Sequence, residues 1–201
     1  MSELSKLAEQ VAACTKCILS KSRTKAVPGE GPENAQILFV GEGPGFHEDK
    51  QGRPFVGAAG QFLEELLAGI GMKREEVFIA NVVKCRPPGN RDPMPEEIEA
   101  CRAYLDRQIE LINPRVVVTL GRYSMARWFP NAKISAIHGQ PRKIEGRLIV
   151  PMFHPAAALH QPSLRKDVEA DFGKLPDILA EFEQMENSEL PPPEAEQLSL
   201  F

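Results

Sequence analysis

Apolar residues fall along this chain in two kinds of run. Short blocks, Ile37-Leu38-Phe39-Val40, Val77-Phe78-Ile79-Ala80-Asn81-Val82-Val83 and Val116-Val117-Val118-Thr119-Leu120, interrupted only by Asn81 and Thr119, are rich in strand formers and bounded by turn residues, the pattern of buried strands. Elsewhere apolar positions recur at helical spacing. Leu4, Leu7, Ala8 and Val11 share a face between Leu4 and Cys14, and a second periodic run covers Ala58 to Leu67. Gly69 and Gly71 stop that helix. A long amphipathic helix starts near Pro95, a residue suited to a first turn, and ends around Ile112 before Asn113-Pro114. Gly121 opens a short helix through Trp128. Glu145-Gly146 marks a hairpin between Arg142-Lys143-Ile144 and Arg147-Leu148-Ile149-Val150, whose second arm runs on to Met152-Phe153-His154-Pro155. A last helix is expected over roughly Lys166 to Phe182. Strands alternating with helices predict an α/β fold with a central four-stranded parallel sheet flanked by helices.

That topology singles out a loop. Gly41-Glu42-Gly43-Pro44-Gly45-Phe46-His47-Glu48-Asp49, continuing to Arg53-Pro54-Phe55-Val56-Gly57, leaves the first strand and leads toward a helix. Open α/β sheets bind ligands at the carboxyl ends of their strands, and glycines such as Gly43 let the backbone approach closely. The spacing is not that of the dinucleotide fingerprint. Asn81 and His154 lie near the ends of two other strands, so Glu42, Asn81 and His154 can meet in one cleft. Singly, Asn81 reads as a satisfied buried amide and His154 as a loop residue before proline; convergence favours a site.

Charge sharpens the picture. The chain has 201 residues and a formal net charge of -4, with 24 Lys and Arg against 28 Asp and Glu. Six Glu and no Lys or Arg lie between 181 and 201, leaving 24 basic against 22 acidic residues in the body. A slightly basic body is compatible with a phosphate-binding face. Residues 1–182 are expected to form one domain and 183–201 a disordered acidic, proline-rich tail too polar to bury a core. No apolar run reaches spanning length and Met1 to Ala13 lacks a signal-peptide pattern, so a cytoplasmic, monomeric protein without membrane association is expected. The four cysteines, Cys14, Cys17, Cys85 and Cys101, include a chelating Cys-x-x-Cys pair. Zinc and a [4Fe–4S] cluster both accept four thiolates, and spacing does not choose between them.

Taken in order, Gly41-Glu42-Gly43-Pro44-Gly45, Gly52-Arg53-Pro54-Phe55-Val56-Gly57, Asn81-Val82-Val83-Lys84-Cys85-Arg86-Pro87-Pro88, His154-Pro155 and the four cysteines resemble the family 4 uracil-DNA glycosylases, the iron–sulfur branch of the uracil-DNA glycosylase superfamily. The likeness covers about Leu7 to Leu179. It implies a three-layer α/β/α fold, a [4Fe–4S] cluster on Cys14, Cys17, Cys85 and Cys101, and removal of uracil from DNA in base excision repair. By the same resemblance Phe55 stacks on an extruded base, Asn81 reads its O4 and N3–H edge, Gly43 and Glu48 help wall the pocket, His154 donates toward O2, and Glu42 orients water. Leu159, in Ala156-Ala157-Ala158-Leu159, is the wedge that enters the vacated base position, and Arg86, Arg165 and Lys166 are phosphate-contact candidates. Phe46-His47 departs from the family, which has acids there. Gly89-Asn90-Arg91-Asp92-Pro93 lacks the histidine-containing insertion of a related branch that holds its sugar covalently, so hydrolysis with turnover is implied.

Two other readings compete: a glycosylase for another deaminated base such as hypoxanthine, and a non-catalytic iron–sulfur DNA-binding module. Asn81 with Phe55 favours uracil over both. The chain ends in Gln197-Leu198-Ser199-Leu200-Phe201, which resembles the peptide with which bacterial DNA-maintenance proteins bind the replication sliding clamp. Gln197, Leu198, Leu200 and Phe201 are its expected contact residues.

Overall fold

The computed structural model describes residues 1–189, with side chains through 184; the tail from 190 onward, with Gln197, Leu198, Leu200 and Phe201, lies outside the described residues. Five strands form one sheet: β1 (Ile37–Gly41), β2 (Phe78–Asn81), β3 (Val116–Leu120), β4 (Arg142–Ile144) and β5 (Arg147–Met152). Their order is β2-β1-β3-β5-β4. The pairs β1·β2, β1·β3 and β3·β5 are parallel and β4·β5 is antiparallel. The expected four-stranded parallel sheet is therefore present, and the first arm of the expected hairpin adds a fifth strand at its edge.

Helices cover both faces. They are α1 (Glu3–Ala13), α2 (Phe46–Gln51), α3 (Ala58–Gly69), α4 (Pro95–Ile112), α5 (Arg122–Met125), α6 (Ile134–Ile137), α7 (Pro155–His160), α8 (Arg165–Gly173) and α9 (Leu175–Glu189). Every residue of β1 and β3 is buried, as central parallel strands require. Side-chain alternation divides them between two cores. Ile37, Phe39, Val116 and Val118 pack with Leu63, Leu67, Phe172 and Phe182, whereas Leu38, Val40 and Val117 pack with Leu7, Val11, Tyr104 and Leu105. The sheet is the middle of three layers, with α1 and α4 on one side and α3, α8 and α9 on the other.

Several boundaries differ from the sequence pattern. β2 ends at Asn81, yet the Val82 and Val83 N–H groups still donate to Gly41 and Glu42 oxygens at 3.0 and 3.1 Å. The two valines extend the apolar run without extending the strand. The short helix after Gly121 stops at Met125, and the last helix breaks at Gly173 before α9 carries it past Phe182 to Glu189. No helix among the described residues is long and apolar enough to cross a membrane.

Candidate active site

Register decides what meets at the sheet edge. Gly41 pairs with Asn81 and Leu120 with Met152, so the four parallel strands stop nearly level. The segments leaving them line a cavity of about 770 Å³. Glu42, Gly43, Glu48, Phe55, Asn81 and His154 all face it. Leu159 does not: it is exposed on α7, beyond Ala156 and Ala157, which do.

Phe55 is held on every side. Its φ is +50°, uncommon for a bulky residue and costly unless neighbours over-determine it. Glu48 Oε1 accepts from the Val56 and Gly57 N–H groups, each at 2.9 Å. Arg74 donates to the Phe55 oxygen at 2.9 Å and to the Pro54 oxygen. A side chain on Gly60 would stand 1.9 Å from the Phe55 oxygen, and one on Gly41 would stand 2.7 Å from its ring and 2.4 Å from Asn81 Oδ1. Absence of side chains at these two positions makes room for the aromatic ring and the amide together.

Asn81 is buried, and its Oδ1 has no hydrogen-bond partner among the described residues. Discrimination by an amide requires a fixed orientation, and among the described residues no donor fixes it at Oδ1. The backbone is anchored instead. Lys84 Nζ donates to the Asn81 oxygen at 2.8 Å and to Gln108 Oε1 at 2.6 Å, and Gln108 Nε2 donates to the Pro28 oxygen at 2.7 Å. Burial brings the Lys84 ammonium down to about 7.

His154 caps α7. Its Nδ1 accepts from the Ala156 N–H at 3.1 Å, which assigns the proton to Nε2. Burial pulls its pKa down to about 4 against the opposing charge of Glu48. The ring is therefore a neutral Nε2–H donor at neutral pH. Glu42 is half-buried, and burial raises its carboxyl above the ordinary range. The Tyr123 N–H, donating at 3.4 Å, and the Arg122 charge pull it back, whereas Asp92 pushes it further up. Arg122 itself pairs with Asp92 across the cavity mouth. At Gly121, where φ is +94°, a Cβ would lie 2.5 Å from Glu42 Oε1 and 3.2 Å from His154 Cβ. Only a glycine meets both demands.

Gly121, Arg122, Tyr123 and Asp92 thus join the site without a sequence motif that marks them. The strand-end rule that located Glu42, Asn81 and His154 applies equally to the end of β3. Among the phosphate-contact candidates, Arg86 Nε is bonded to Asn90 Oδ1 at 2.7 Å. Arg165 is engaged with Glu169 and Glu65 at 2.8 and 3.4 Å.

Away from the cavity, the four cysteines gather where α1 packs on α4. Cys14 caps α1, Cys17 opens the next turn, Cys85 follows β2, and Cys101 lies in α4. No disulfide joins them. Among the described residues no three His, Cys, Asp or Glu side chains stand ready to hold an ion. Even so, Cys85 senses Cys17 and Cys14, and Cys101 senses Cys85 and Cys17. Burial raises both, Cys101 to about 11, while Arg23 donates to Cys85 Sγ at 3.0 Å and favours its thiolate. Four sulfurs in one patch, two of them buried, are a donor set suited to a thiolate-ligated metal group.

Comparison with known proteins agrees with this geometry. The sequence model described as the Uracil DNA glycosylase superfamily matches residues 28–175. A type-4 uracil-DNA glycosylase of Sulfurisphaera tokodaii is 49% identical over 190 residues, covering 89% of this chain and 86% of the relative. Its namesake in Archaeoglobus fulgidus is 47% identical over 188 residues, covering 89% and 94%. Another, from Thermotoga maritima, is 48% identical over 173 residues, covering 84% and 90%. With that coverage, and with the sheet edge built as described, the chain belongs to the uracil-DNA glycosylase superfamily, in its type-4 branch.

Proposed function

We propose that this protein hydrolyses the N-glycosidic bond of uracil in DNA, leaving free uracil and an abasic site for base excision repair. The carrying observation is Asn81: a buried amide oxygen without a donor, in a cavity beside an aromatic ring. An orphaned acceptor of this kind costs about 1–3 kcal/mol, and the N3–H of uracil would satisfy it. Since the uracil of a duplex is out of reach, the nucleotide must be extruded. Leu159 fits the wedge that fills the vacated step.

Bond breaking sends the C1′–N1 electron pair onto the base and leaves an oxocarbenium-like sugar. The Nε2–H of His154 meets the charge growing on uracil O2; such a donor is worth about 10²–10³ in rate. Glu42 as carboxylate orients a water toward C1′ and takes its proton as the C–O bond forms, the uracil anion taking a proton from solvent. Glu48 acts through Phe55, whose loop it holds, and with Gly43 bounds the side that a thymine methyl would strike. Cys14, Cys17, Cys85 and Cys101 would hold a [4Fe–4S] cluster that pins α1 beside α4 and supplies structural rigidity rather than chemistry.

The tail adds a partner. Gln197, Leu198, Leu200 and Phe201 resemble a clamp-binding peptide, with two apolar anchors and a directional amide. A tethered enzyme would have a raised effective concentration near replicating DNA. Deletion of the last five residues should abolish binding to a bacterial sliding clamp in a direct titration and leave excision from short oligonucleotides unchanged.

The test of the activity is incubation with an oligonucleotide holding one uracil, beside thymine, cytosine and hypoxanthine controls. Uracil release without strand cleavage supports the reading. Preferential hypoxanthine release, or DNA binding that survives loss of Glu42 and His154 with no base released, would replace it with one of the competing readings.

A further inference from the structure

Five large apolar side chains are exposed among the described residues: Met1, Ile18, Phe46, Met94 and Leu159. Of these, Phe46 alone lines the cavity. It opens α2 at the lip, 48% exposed, with Lys50 Nζ 5.1 Å and Arg86 Cζ 5.2 Å from its ring centroid. His47 stands edge-on to it at 5.4 Å. The core makes no use of this ring, and the two cations are of a kind that binds phosphate. An aromatic platform interleaved with cations is how proteins hold a single strand without reading its sequence, because every base has a face to stack.

We propose that Phe46 is a stacking site for the nucleobase next to the extruded uracil, with Lys50 and Arg86 taking the phosphate of that nucleotide. The proposal rests on the uracil-glycosylase reading. The two cations now lie over the ring; DNA offers both a phosphate and the ring a base in exchange. Arg86 is the positioned member, bonded to Asn90, and Lys50 is exposed.

The experiment compares wild type, Phe46→Ala and Phe46→Trp on single-stranded oligonucleotides with one uracil. A parallel set of substrates carries a baseless spacer as the 5′ or the 3′ neighbour. Phe46→Ala should raise KM about tenfold to a hundredfold, as loss of one stacked base predicts, with kcat nearly unchanged. Phe46→Trp should stay close to wild type. Wild type should show the same rise with one of the two spacers, and Phe46→Ala should lose nothing further on that substrate. An unchanged KM in Phe46→Ala overturns the site, and so does a loss of equal size on base-containing and spacer substrates. Failure of wild type to release uracil from any substrate would instead fell the glycosylase reading, and this site with it.

Discussion

The rings of Phe55 and His154 stack with centroids 5.4 Å apart and planes 24° from parallel. A base sandwiched between two rings needs a van der Waals contact of about 3.5–4.0 Å on each side. No slot for uracil exists between this pair, so the base must stack on Phe55 beside the imidazole, within reach of its Nε2–H, while His154 keeps backing part of the aromatic ring. His154 then has two duties, donating from Nε2 and supporting Phe55. His154→Ala should lower kcat by about 10²–10³ and raise KM as well. His154→Phe should restore KM and leave kcat low. If the two variants share the same KM, the backing role is absent.

Phe55 depends on a clamp that can be dismantled piece by piece. Glu48→Gln keeps an acceptor for the Val56 and Gly57 N–H groups and should be mild, whereas Glu48→Ala leaves them unpaired. Arg74, 9% exposed at its side chain, supports two carbonyls; Arg74→Met should destabilise by about 1.5–3 kcal/mol, the range for a bond to a charged donor. Gly60→Ala forces the strained loop to move and should cost about 1–3 kcal/mol along with activity. Urea midpoints and KM together check this. Equal behaviour of Glu48→Gln and Glu48→Ala would remove Glu48 from the clamp.

The fold was legible because the β1 and β3 runs are apolar but for Thr119 and the helices keep their period. Chain breaks were less so. α2 and α7 are short helices set in glycine- and proline-containing loops, where periodicity has too few residues to register. Glu42, Phe55, Asn81 and His154 could be found from strand ends and motifs. Arg74 could not, since its role is to bond carbonyls of a segment remote in sequence. Nor does a sequence reveal that Phe55 has positive φ, or that Asn81 Oδ1 is left unpaired.

A cluster held by the four cysteines would tie stability to iron. The purified protein, prepared without air, is expected to be brown, with broad visible absorption and about four irons per chain. Cys17→Ala should lose that absorption together with thermal stability, since ligand sets seldom preform without their metal. Stoichiometric zinc in a colourless preparation would replace the cluster with a zinc site.

Ionisation of Glu42 provides the sharpest test of the chemistry. Its carboxyl is raised by burial, so kcat/KM should climb with pH through a midpoint above 4.5, the ordinary carboxylate value. His154, at about 4, is already neutral across that rise and contributes no alkaline limb. Two neighbours act on Glu42 with opposite sign. Arg122→Gln removes a charge that favours the carboxylate and should move the acid limb to higher pH. Asp92→Asn removes one that disfavours it, and releases Arg122 from its pair, so the limb should move to lower pH. Salt should shrink both shifts, because Arg122 and Asp92 are exposed. Stability follows His154 in a different window. Its folded pKa lies below its usual 6.5, so the unfolded chain binds the proton first. The folded state should keep its full margin above about 6.5 and lose it as pH falls toward 4, and His154→Phe should flatten that loss. Shifts of the acid limb in the same direction for Arg122→Gln and Asp92→Asn would show that the limb belongs to another group.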